Sequence, residues 1–476
     1  MKKLLKTIIS YPFLLITNFA CVHASPKEGP KLRLQVENEY TDHPLSLSGT
    51  LPSSLKGSLV RNCVVPVYEE GKDKNHLFDG IGMLHSFQIE DGKISYSSRY
   101  IHSDAYAKVV QSDTNFYQCK LDLEKTKHIQ DAAVNVFKYN DDYVALTETP
   151  FPVRFDLKTL ETLGNFEFQD KLPKSGTFET AHPHYFAETK ELYNFLIEFG
   201  WNTQYVLYKL EGKKREVIAR IPVSKPGYMH SFAMTEKYLV LVEYPLVVNP
   251  LSLLTAKVDS FATYIKLFKW IPDQGTRFLV VEKSSGKLVS EIKSQAFFSF
   301  HHANAYDDGN EIVIDLTANN FAKMGHLFPQ SEGSSETLQG LHRFRLNLDT
   351  KSLNVESALE QKTVEFPKAP DHLDGKPYRY LYMVNYNEKN SALVKYDWEQ
   401  KKEISWKAEN TKILEPIFVP SENAQTEDAG VILTVVTDPA LKQSYLLVLD
   451  ARNLTEIARA ILPEALPDSF HGQFFK

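Results

Sequence analysis

Short stretches in which apolar and polar residues alternate, or which are wholly apolar, recur along the chain. Alternation with a period of two is typical of a β-strand buried on one face, and a short apolar run is typical of a strand buried on both. Most of these stretches are bounded by clusters of Asp, Asn, Gly or Lys, which favour turns. The clearest are residues 143–147, 205–210, 238–244, 278–282, 311–316, 392–398, 430–436 and 445–449.

Amphipathic stretches long enough for a helix are scarce, and residues 250–256 are the best short candidate. Many short antiparallel strands favour a β-propeller of four-stranded blades. Seven blades would take about 65 residues each, a length that fits strongly diverged repeats. Because the chain has no evident repeated signature, two packed β-sandwich domains are the alternative. The pattern predicts an all-β fold.

The first 24 residues predict a cleaved secretory signal peptide, followed by one catalytic domain over residues 25–476. Lys2, Lys3 and Lys6 precede an apolar stretch over residues 8–20, and Ala24 gives a small-residue cleavage site. A membrane anchor and lipid attachment at Cys21 are the alternatives, but the stretch is shorter than the roughly 20 apolar residues that span a bilayer. The protein is therefore expected to be secreted or periplasmic.

Composition narrows the chemistry. The 476 residues include 54 basic and 60 acidic side chains, and the net charge of −6 argues against a nucleic-acid partner. Three cysteines are too few for a thiolate metal site or a disulfide framework, whereas 15 histidines are available. Any metal in this chain should therefore be held by imidazole.

Four histidines lie in or beside predicted strands, namely His182, His230, His301 and His471. They are separated by 48, 71 and 170 residues, so one helix or hairpin cannot bring them together. A propeller axis can, because every blade places its inner strand there. From spacing alone, a hydrogen-bonded core histidine is the more common explanation for each of them.

Ten sequence blocks resemble, in order, those of the carotenoid cleavage oxygenase family, which includes lignostilbene dioxygenases and the retinoid isomerase of the visual cycle. The resemblance covers about residues 35–476, and the order of the blocks is far more specific than any one of them. The blocks are residues 57–62 (GSLVRN), 76–85 (HLFDGIGMLH), 180–184 (TAHPH), 230–235 (HSFAMT), 300–306 (FHHANAY), 341–346 (LHRFRL), 365–367 (EFP), 375–380 (GKPYRY), 415–419 (EPIFV) and 470–472 (FHG).

The resemblance implies a seven-bladed β-propeller with one Fe(II) per chain on its axis and a helical and loop cap over the top face. The four implied iron ligands are His182, His230, His301 and His471. Imidazole suits iron, and four such ligands leave coordination positions open. His302, beside one ligand, is interpreted as a strand neighbour. His184, beside another, is interpreted as a residue that either supports the ligands or is structural, and neither is expected to bind the metal.

Neutral imidazole ligands leave the charge of the metal uncompensated, and carboxylates bonded to the outer ring nitrogens would offset it. The resemblance places such glutamates at Glu148, Glu415 and Glu456. It pairs them with His230, His301 and His471 respectively. A solvated surface glutamate is the alternative for each.

The implied activity is Fe(II)-dependent cleavage of a conjugated double bond of a carotenoid or apocarotenoid by O2, with retinal as one candidate product. Residues 99–106 and 134–136 look closer to the animal carotene and retinoid branch. The alternatives are a stilbenoid-cleaving dioxygenase, a non-oxidative retinoid ester isomerase and a silent binding platform. A phenol-binding lysine of the stilbene enzymes is absent at residues 129–131. Cys63-Val64 replaces the usual Gly-Pro, and Ile81 interrupts the usual Asp-Gly-Asp-Gly.

Two further regions are candidates for handling O2 and an apolar polyene substrate. Val134 and Thr147 are candidates for the O2 site or tunnel, although ordinary strand core is the alternative for Val134. An apolar stretch interspersed with lysines predicts a peripheral membrane contact, with a strand packed on the core as the alternative. Its apolar members are Phe261, Tyr264, Ile265, Leu267, Phe268 and Trp270.

Overall fold

The structure is a computed structural model that describes residues 32–34, 38–69, 80–110, 131–173, 177–255, 264–386, 391–467 and 469–476. Within these ranges, seven antiparallel sheets of four or more strands, here called blades 1 to 7, are arranged as a β-propeller, which confirms the predicted fold class. The alternative of two β-sandwich domains is wrong. Residues 1–24, Cys21, Cys119 and Phe261 lie outside the described residues, so the signal peptide stays a prediction.

Blades 1 to 4 hold the first half of the chain. Blade 1 consists of Leu32–Leu34, Tyr40–Pro44, Gly57–Glu69, Gly80–Glu90, Lys93–Tyr100 and Ser469–Phe475. Blade 2 consists of Asn135–Tyr139, Asp142–Thr147, Thr149–Phe155 and Thr162–Asn165. Blade 3 consists of Thr177–Glu179, His184–Phe186, Glu191–Glu198, Gln204–Glu211 and Lys214–Pro222. Blade 4 consists of Ala233–Met234, Tyr238–Glu243, Thr276–Glu282 and Leu288–Ser294.

Blades 5 to 7 complete the ring. Blade 5 consists of Phe298–Asp308, Glu311–Asn319, Gly340–Asn347 and Ser352–Ser357. Blade 6 consists of Thr363–Lys368, Tyr380–Tyr386, Ser391–Asp397 and Lys402–Lys407. Blade 7 consists of Ser46–Gly49, Lys412–Ile413, Ile417–Pro420, Gly430–Asp438, Gln443–Asp450 and Glu456–Ile461.

Burial along the strands follows their place in a blade. The central strand Glu191–Glu198 is buried at its six inner positions, because both of its faces pack on other sheets. The outer strand Lys402–Lys407 is almost wholly exposed. All eight stretches predicted from the hydrophobic pattern match strands to within one residue, and these are central strands of blades 2 to 7. The pattern predicted none of the strands of blade 1.

Both ends of the chain close the ring. Ser469–Phe475 pairs with Gly57–Glu69 in blade 1, and Ser46–Gly49 pairs with Glu456–Ile461 in blade 7. Gly472 permits the first of these pairings, because a Cβ there would lie 2.8 Å from the carbonyl oxygen of Val60. The closure brings His471, near the C-terminus, to the axis beside residues from the middle of the chain.

Among the described residues, the helical segments lie in the connections between strands. The α-helices are Asp104–Val110 and Pro250–Thr255, and the 3-10 turns are Pro272–Gln274, Phe321–Lys323, Pro329–Ser331 and Asp371–Leu373. A two-stranded ribbon, Leu246–Val248 with Phe268–Trp270, packs on the connection of blade 5, where the rings of Trp270 and Phe321 stack at 4.0 Å. Among the described helices, none is long and apolar enough to cross a bilayer.

Candidate metal centre

The four histidines lie at the propeller axis, each on the inner segment of a different blade. His182 lies between Thr177–Glu179 and His184–Phe186, and His230 lies just before Ala233–Met234. His301 is within Phe298–Asp308, and His471 is within Ser469–Phe475. Each segment is the one that its blade presents to the axis, which is why residues so far apart in sequence meet.

The four rings form one tight cluster. One ring nitrogen from each lies within 4.8 Å of the other three. The Nε2 atoms of His182 and His230 are 2.9 Å apart, and those of His301 and His471 are 3.2 Å apart. His230, His301 and His471 are buried and His182 is half-buried. The histidines singled out in the sequence are therefore the ones that the structure brings together.

Three of the rings form a hydrogen bond to a glutamate through their outer nitrogen, Nδ1. His230 Nδ1 lies 2.6 Å from Glu148 Oε1, His301 Nδ1 lies 2.7 Å from Glu365 Oε2, and His471 Nδ1 lies 2.9 Å from Glu415 Oε1. An ionised carboxylate only accepts, so in each pair Nδ1 carries the proton and Nε2 keeps its lone pair.

Converging lone pairs repel one another unless a cation or a proton lies between them. A proton is disfavoured here, because burial lowers the pKa of His471 to about 3 and also lowers the pKa values of His301 and His182. Neighbouring imidazoles add to the lowering for all three. Neutral imidazoles with carboxylate-bonded outer nitrogens are the donors that a divalent transition metal takes, and the residues therefore fit iron.

Each glutamate is itself held in place. Tyr228 donates its hydroxyl to Glu148 at 2.9 Å, and Asn319 Nδ2 donates to Glu365 at 2.6 Å. Glu415 accepts the backbone N–H of Gly472 at 2.9 Å. These contacts fix the carboxylates and through them the orientation of the rings.

The charge around Glu415 differs from that around the other two. Burial opposes its ionisation, but Lys368 and His471 beside it hold the pKa of the carboxyl well below its usual range. Lys368 Nζ lies 3.4 Å from Glu415 Oε1.

The predicted glutamate set needs two corrections. Glu456 lies on the outer part of blade 7, where its exposed carboxylate pairs with Arg459 at 2.6 Å, so it cannot reach His471. Glu415 pairs with His471 and not with His301, because ring closure sets the C-terminal strand beside the segment of Glu415. The predicted pairing of Glu148 with His230 agrees with the structure.

The glutamates predicted from the sequence do not include Glu365, the partner of His301. It lies in Thr363–Lys368, the inner strand of the blade that follows His301. Its signal was present in the sequence, since Glu365 opens the block EFP at residues 365–367.

The neighbouring histidines have other partners. His302 Nδ1 lies 2.7 Å from Ser231 Oγ, and His184 bonds Asp374 at 2.8 Å through Nδ1 and the carbonyl oxygen of Phe232 at 2.9 Å through Nε2. Both lie outside the cluster, as expected of histidines that do not bind the metal.

The two O2-site candidates lie in blade 2. Thr147 is buried at the end of Asp142–Thr147, next to Glu148. Val134 is half-buried and packs against a core cluster that includes Tyr139 and Leu146. Their role toward O2 stays a prediction.

The predicted membrane-contact stretch packs largely on the protein itself. Ile265 and Phe268 are buried in the core, so the prediction of lipid contact is wrong for these two. Tyr264, Leu267 and Trp270 are half-buried against the same core cluster, while Lys266 and Lys269 are exposed. This arrangement is the one expected of a strand and loop packed on the core.

Comparison with known families gives a match over nearly the whole chain. The family described as RPE65, retinal pigment epithelial membrane protein, matches residues 34–476. The carotenoid-cleaving dioxygenase, mitochondrial, of Mustela putorius furo is 30% identical, with 90% of this chain and 92% of that protein covered. The beta,beta-carotene 15,15'-dioxygenase of Mus musculus is 28% identical, with 90% and 88% covered.

Solved structures share the fold. A mutant of Synechocystis apocarotenoid oxygenase superposes with a TM-score of 0.78 at 22% identity, covering 92% of this chain and 96% of that one. A chimera of that oxygenase with RPE65 gives the same TM-score of 0.78 at 23% identity and the same coverage.

Proposed function

Because the chain belongs to the RPE65, or retinal pigment epithelial membrane protein, family, we propose that it is an Fe(II)-dependent carotenoid cleavage dioxygenase. The proposed reaction adds O2 across one conjugated carbon–carbon double bond of a carotenoid or apocarotenoid. The bond breaks, each carbon takes one oxygen atom, and two aldehyde or ketone products form. The names of the relatives, which cleave carotenoids or β-carotene, support this substrate class.

One observation carries the proposal. The Nε2 lone pairs of His230, His301 and His471 point at one place together with His182, and each of the three has a carboxylate behind it. A protein interior does not gather such lone pairs without a cation to bind them. Four protein ligands leave coordination positions open for a small molecule.

The roles of the chain's own residues follow from their contacts. His182, His230, His301 and His471 would hold the metal through Nε2, while Glu148, Glu365 and Glu415 orient three of the rings and keep their protons on Nδ1. When bound, iron supplies the binding and activation of O2. No side chain has to act as a nucleophile or general base.

The surroundings of the site suit an apolar substrate. The ring of Phe300 lies 5.4 Å from that of His230, and Phe298 and Phe328 pack on Phe300 at 5.0 and 5.8 Å. The ring of Phe366 lies 5.3 Å from that of His301. Such an aromatic surface can position a polyene and keep water away from the metal.

The test is product analysis with labelled oxygen. The purified protein is assayed for iron and incubated with β-carotene, an apocarotenal, a retinyl ester and resveratrol under 18-O2. We expect about one iron per chain and labelled carbonyl products from a carotenoid or apocarotenoid, with retinal among the candidates. Absence of iron from active protein would contradict the proposal.

The other functions give distinct results in the same experiment. A retinoid isomerase would convert the retinyl ester equally well without O2, and a stilbenoid-cleaving enzyme would act on resveratrol alone. A silent binding platform would retain no iron and give no product.

We also propose that residues 1–24 are removed during export and that the mature protein is secreted or periplasmic. The cationic start and short apolar stretch of the sequence support this proposal. N-terminal sequencing of the protein isolated from its native cells should start at Ser25; an intact Met1 or a lipid on Cys21 would contradict it.

A further inference from the structure

We propose that Lys368 is a positioning residue that weakens the electron donation of His471 to the metal, so that the ligands of the centre are unequal. The inference rests on the proposed iron centre and assigns a role to a residue outside the histidine and glutamate set.

Lys368 reaches the axis because its strand is irregular. On a regular strand, residues three apart face opposite sides, so Glu365 and Lys368 would point in opposite directions. The pairing register of Thr363–Lys368 shifts between these two residues, and Phe366 between them has a left-handed φ of 55°. The irregularity lets Glu365 bond His301 while Lys368 pairs with Glu415.

Lys368 and His471 share one oxygen atom. Lys368 Nζ lies 3.4 Å from Oε1 of Glu415, and His471 Nδ1 lies 2.9 Å from that same oxygen. The Glu415 side chain is only 1% exposed and that of Lys368 is 32% exposed, so water screens this contact only in part.

A second cation, Arg61, lies near Glu415 and contacts its backbone. The buried guanidinium of Arg61 donates to the carbonyl oxygens of Glu415 at 2.9 Å and Phe470 at 3.3 Å, and to the hydroxyl of Ser469 at 3.1 Å. Arg61 thereby fixes the chain on both sides of the Glu415–His471 pair, but its donors do not touch the carboxylate.

The other two glutamates have neutral partners. Glu148 accepts from the phenol of Tyr228, and Glu365 accepts from the amide of Asn319. Within the described ranges, no Lys or Arg lies within ion-pair distance of either carboxylate. Of the three glutamate–histidine pairs, only Glu415–His471 therefore has a lysine beside its carboxylate.

The consequence follows from electrostatics. A carboxylate at Nδ1 raises the basicity of the imidazole and so strengthens its bond to the metal. A cation on the same carboxylate oxygen draws that charge away, and it also repels the divalent ion directly. His471 is therefore the weakest donor of the three carboxylate-paired ligands, which leaves the metal more electron-poor than three equal pairs would.

Charge removal at this lysine tests the inference. The variants are Lys368→Met, which keeps the length of the side chain, Lys368→Gln as a second neutral residue, and Lys368→Arg, which keeps the charge. Lys362→Met is the matched control, because Lys362 precedes the same strand but pairs with Glu403 at the rim. Metal-free full-length protein is titrated with Co(II), and the reduction potential of the iron-loaded protein is measured by equilibrium titration.

We expect Lys368→Met and Lys368→Gln to bind Co(II) about 10-fold more tightly and to have a more negative iron potential. Glu415 keeps His471 and the N–H of Gly472 as partners, so its orientation should persist. Lys368→Arg and Lys362→Met should bind as the wild type does.

Unchanged or weaker Co(II) binding in both neutral variants would overturn the inference, and so would an arginine variant that behaves like them. Failure of the wild-type protein to bind Co(II) would instead contradict the proposed metal centre itself. The two failures are thus distinguishable.

Discussion

Two sets of buried histidines in this propeller differ in what lies behind the ring. At the axis, His230, His301 and His471 each bond a glutamate through Nδ1. In the blades, Nδ1 meets a hydroxyl instead: Tyr96 for His85 at 2.6 Å, Ser231 for His302 at 2.7 Å and Ser357 for His342 at 3.0 Å. Burial and lowered pKa do not separate the sets, because burial lowers the pKa of His85 and His302 to about 3, just as it does for His471.

The group that bonds Nδ1 of a buried histidine indicates the role of that histidine. A hydroxyl is enough for a neutral histidine that only fills and bonds a blade. A carboxylate costs desolvation when buried, and that cost is offset when the ring also bears a cation. A carboxylate on Nδ1 is not sufficient by itself, because His184 bonds Asp374 in this way but uses its Nε2 for the carbonyl oxygen of Phe232. At the axis the carboxylate-bonded rings direct Nε2 at one another, and this combination indicates that the axis is built for a metal.

Removing a ring from the axis should have the largest effect. His301→Ala deletes a metal ligand and leaves Glu365 buried without its ring partner, so we expect loss of nearly all bound iron and of turnover. Metal analysis and product formation measure it. His85→Phe, in blade 1, should retain both, and an iron-free His301→Ala variant that still turns over would refute the comparison.

Changing the carboxylate behind the ring should have the next largest effect. Glu365→Gln keeps the shape but removes the charge behind His301, and we expect metal affinity to fall by about 10-fold to 100-fold. Co(II) titration of the metal-free variant measures this directly. If affinity stayed at the wild-type value, the carboxylate would not distinguish the axis from the blades.

Glu365 also shows that the full pairing of glutamates with histidines could not be predicted from the sequence. The pattern of apolar residues located eight central strands in blades 2 to 7, and the order of the motif blocks located the four histidines. The pairing of glutamates with histidines depends on which blades are neighbours around the ring and on a closure by the two chain ends. Glu415 and His471 are 56 residues apart, yet closure makes them partners, whereas Glu456, only 15 residues from His471, lies at the rim. Distance along the chain does not report these contacts.

The buried histidines of the blades should make the free energy of unfolding fall in acid. The pKa of His85 is about 3 in the folded protein, because burial and the charge of Arg61 disfavour the imidazolium, and it is about 6.5 when unfolded. Its contribution to stability is therefore complete above about pH 6.5 and is lost as the pH falls toward 3, by about 1.4 kcal/mol per pH unit. Denaturant unfolding of the wild type and His85→Phe between pH 7 and 4 measures the contribution, and parallel curves would contradict it.

The rim glutamate should give the smallest effect. Glu456 is exposed and pairs with Arg459 three residues along the same strand, in contact with water and salt. Such pairs contribute about 0–1 kcal/mol, so Glu456→Gln should lower the free energy of unfolding by no more than that. Its Co(II) affinity should equal that of the wild type, in contrast to Glu365→Gln, which makes the same chemical change. Because the two substitutions are identical and only the position in the blade differs, any loss of metal affinity in Glu456→Gln would mean that the axis is not the source of the effect.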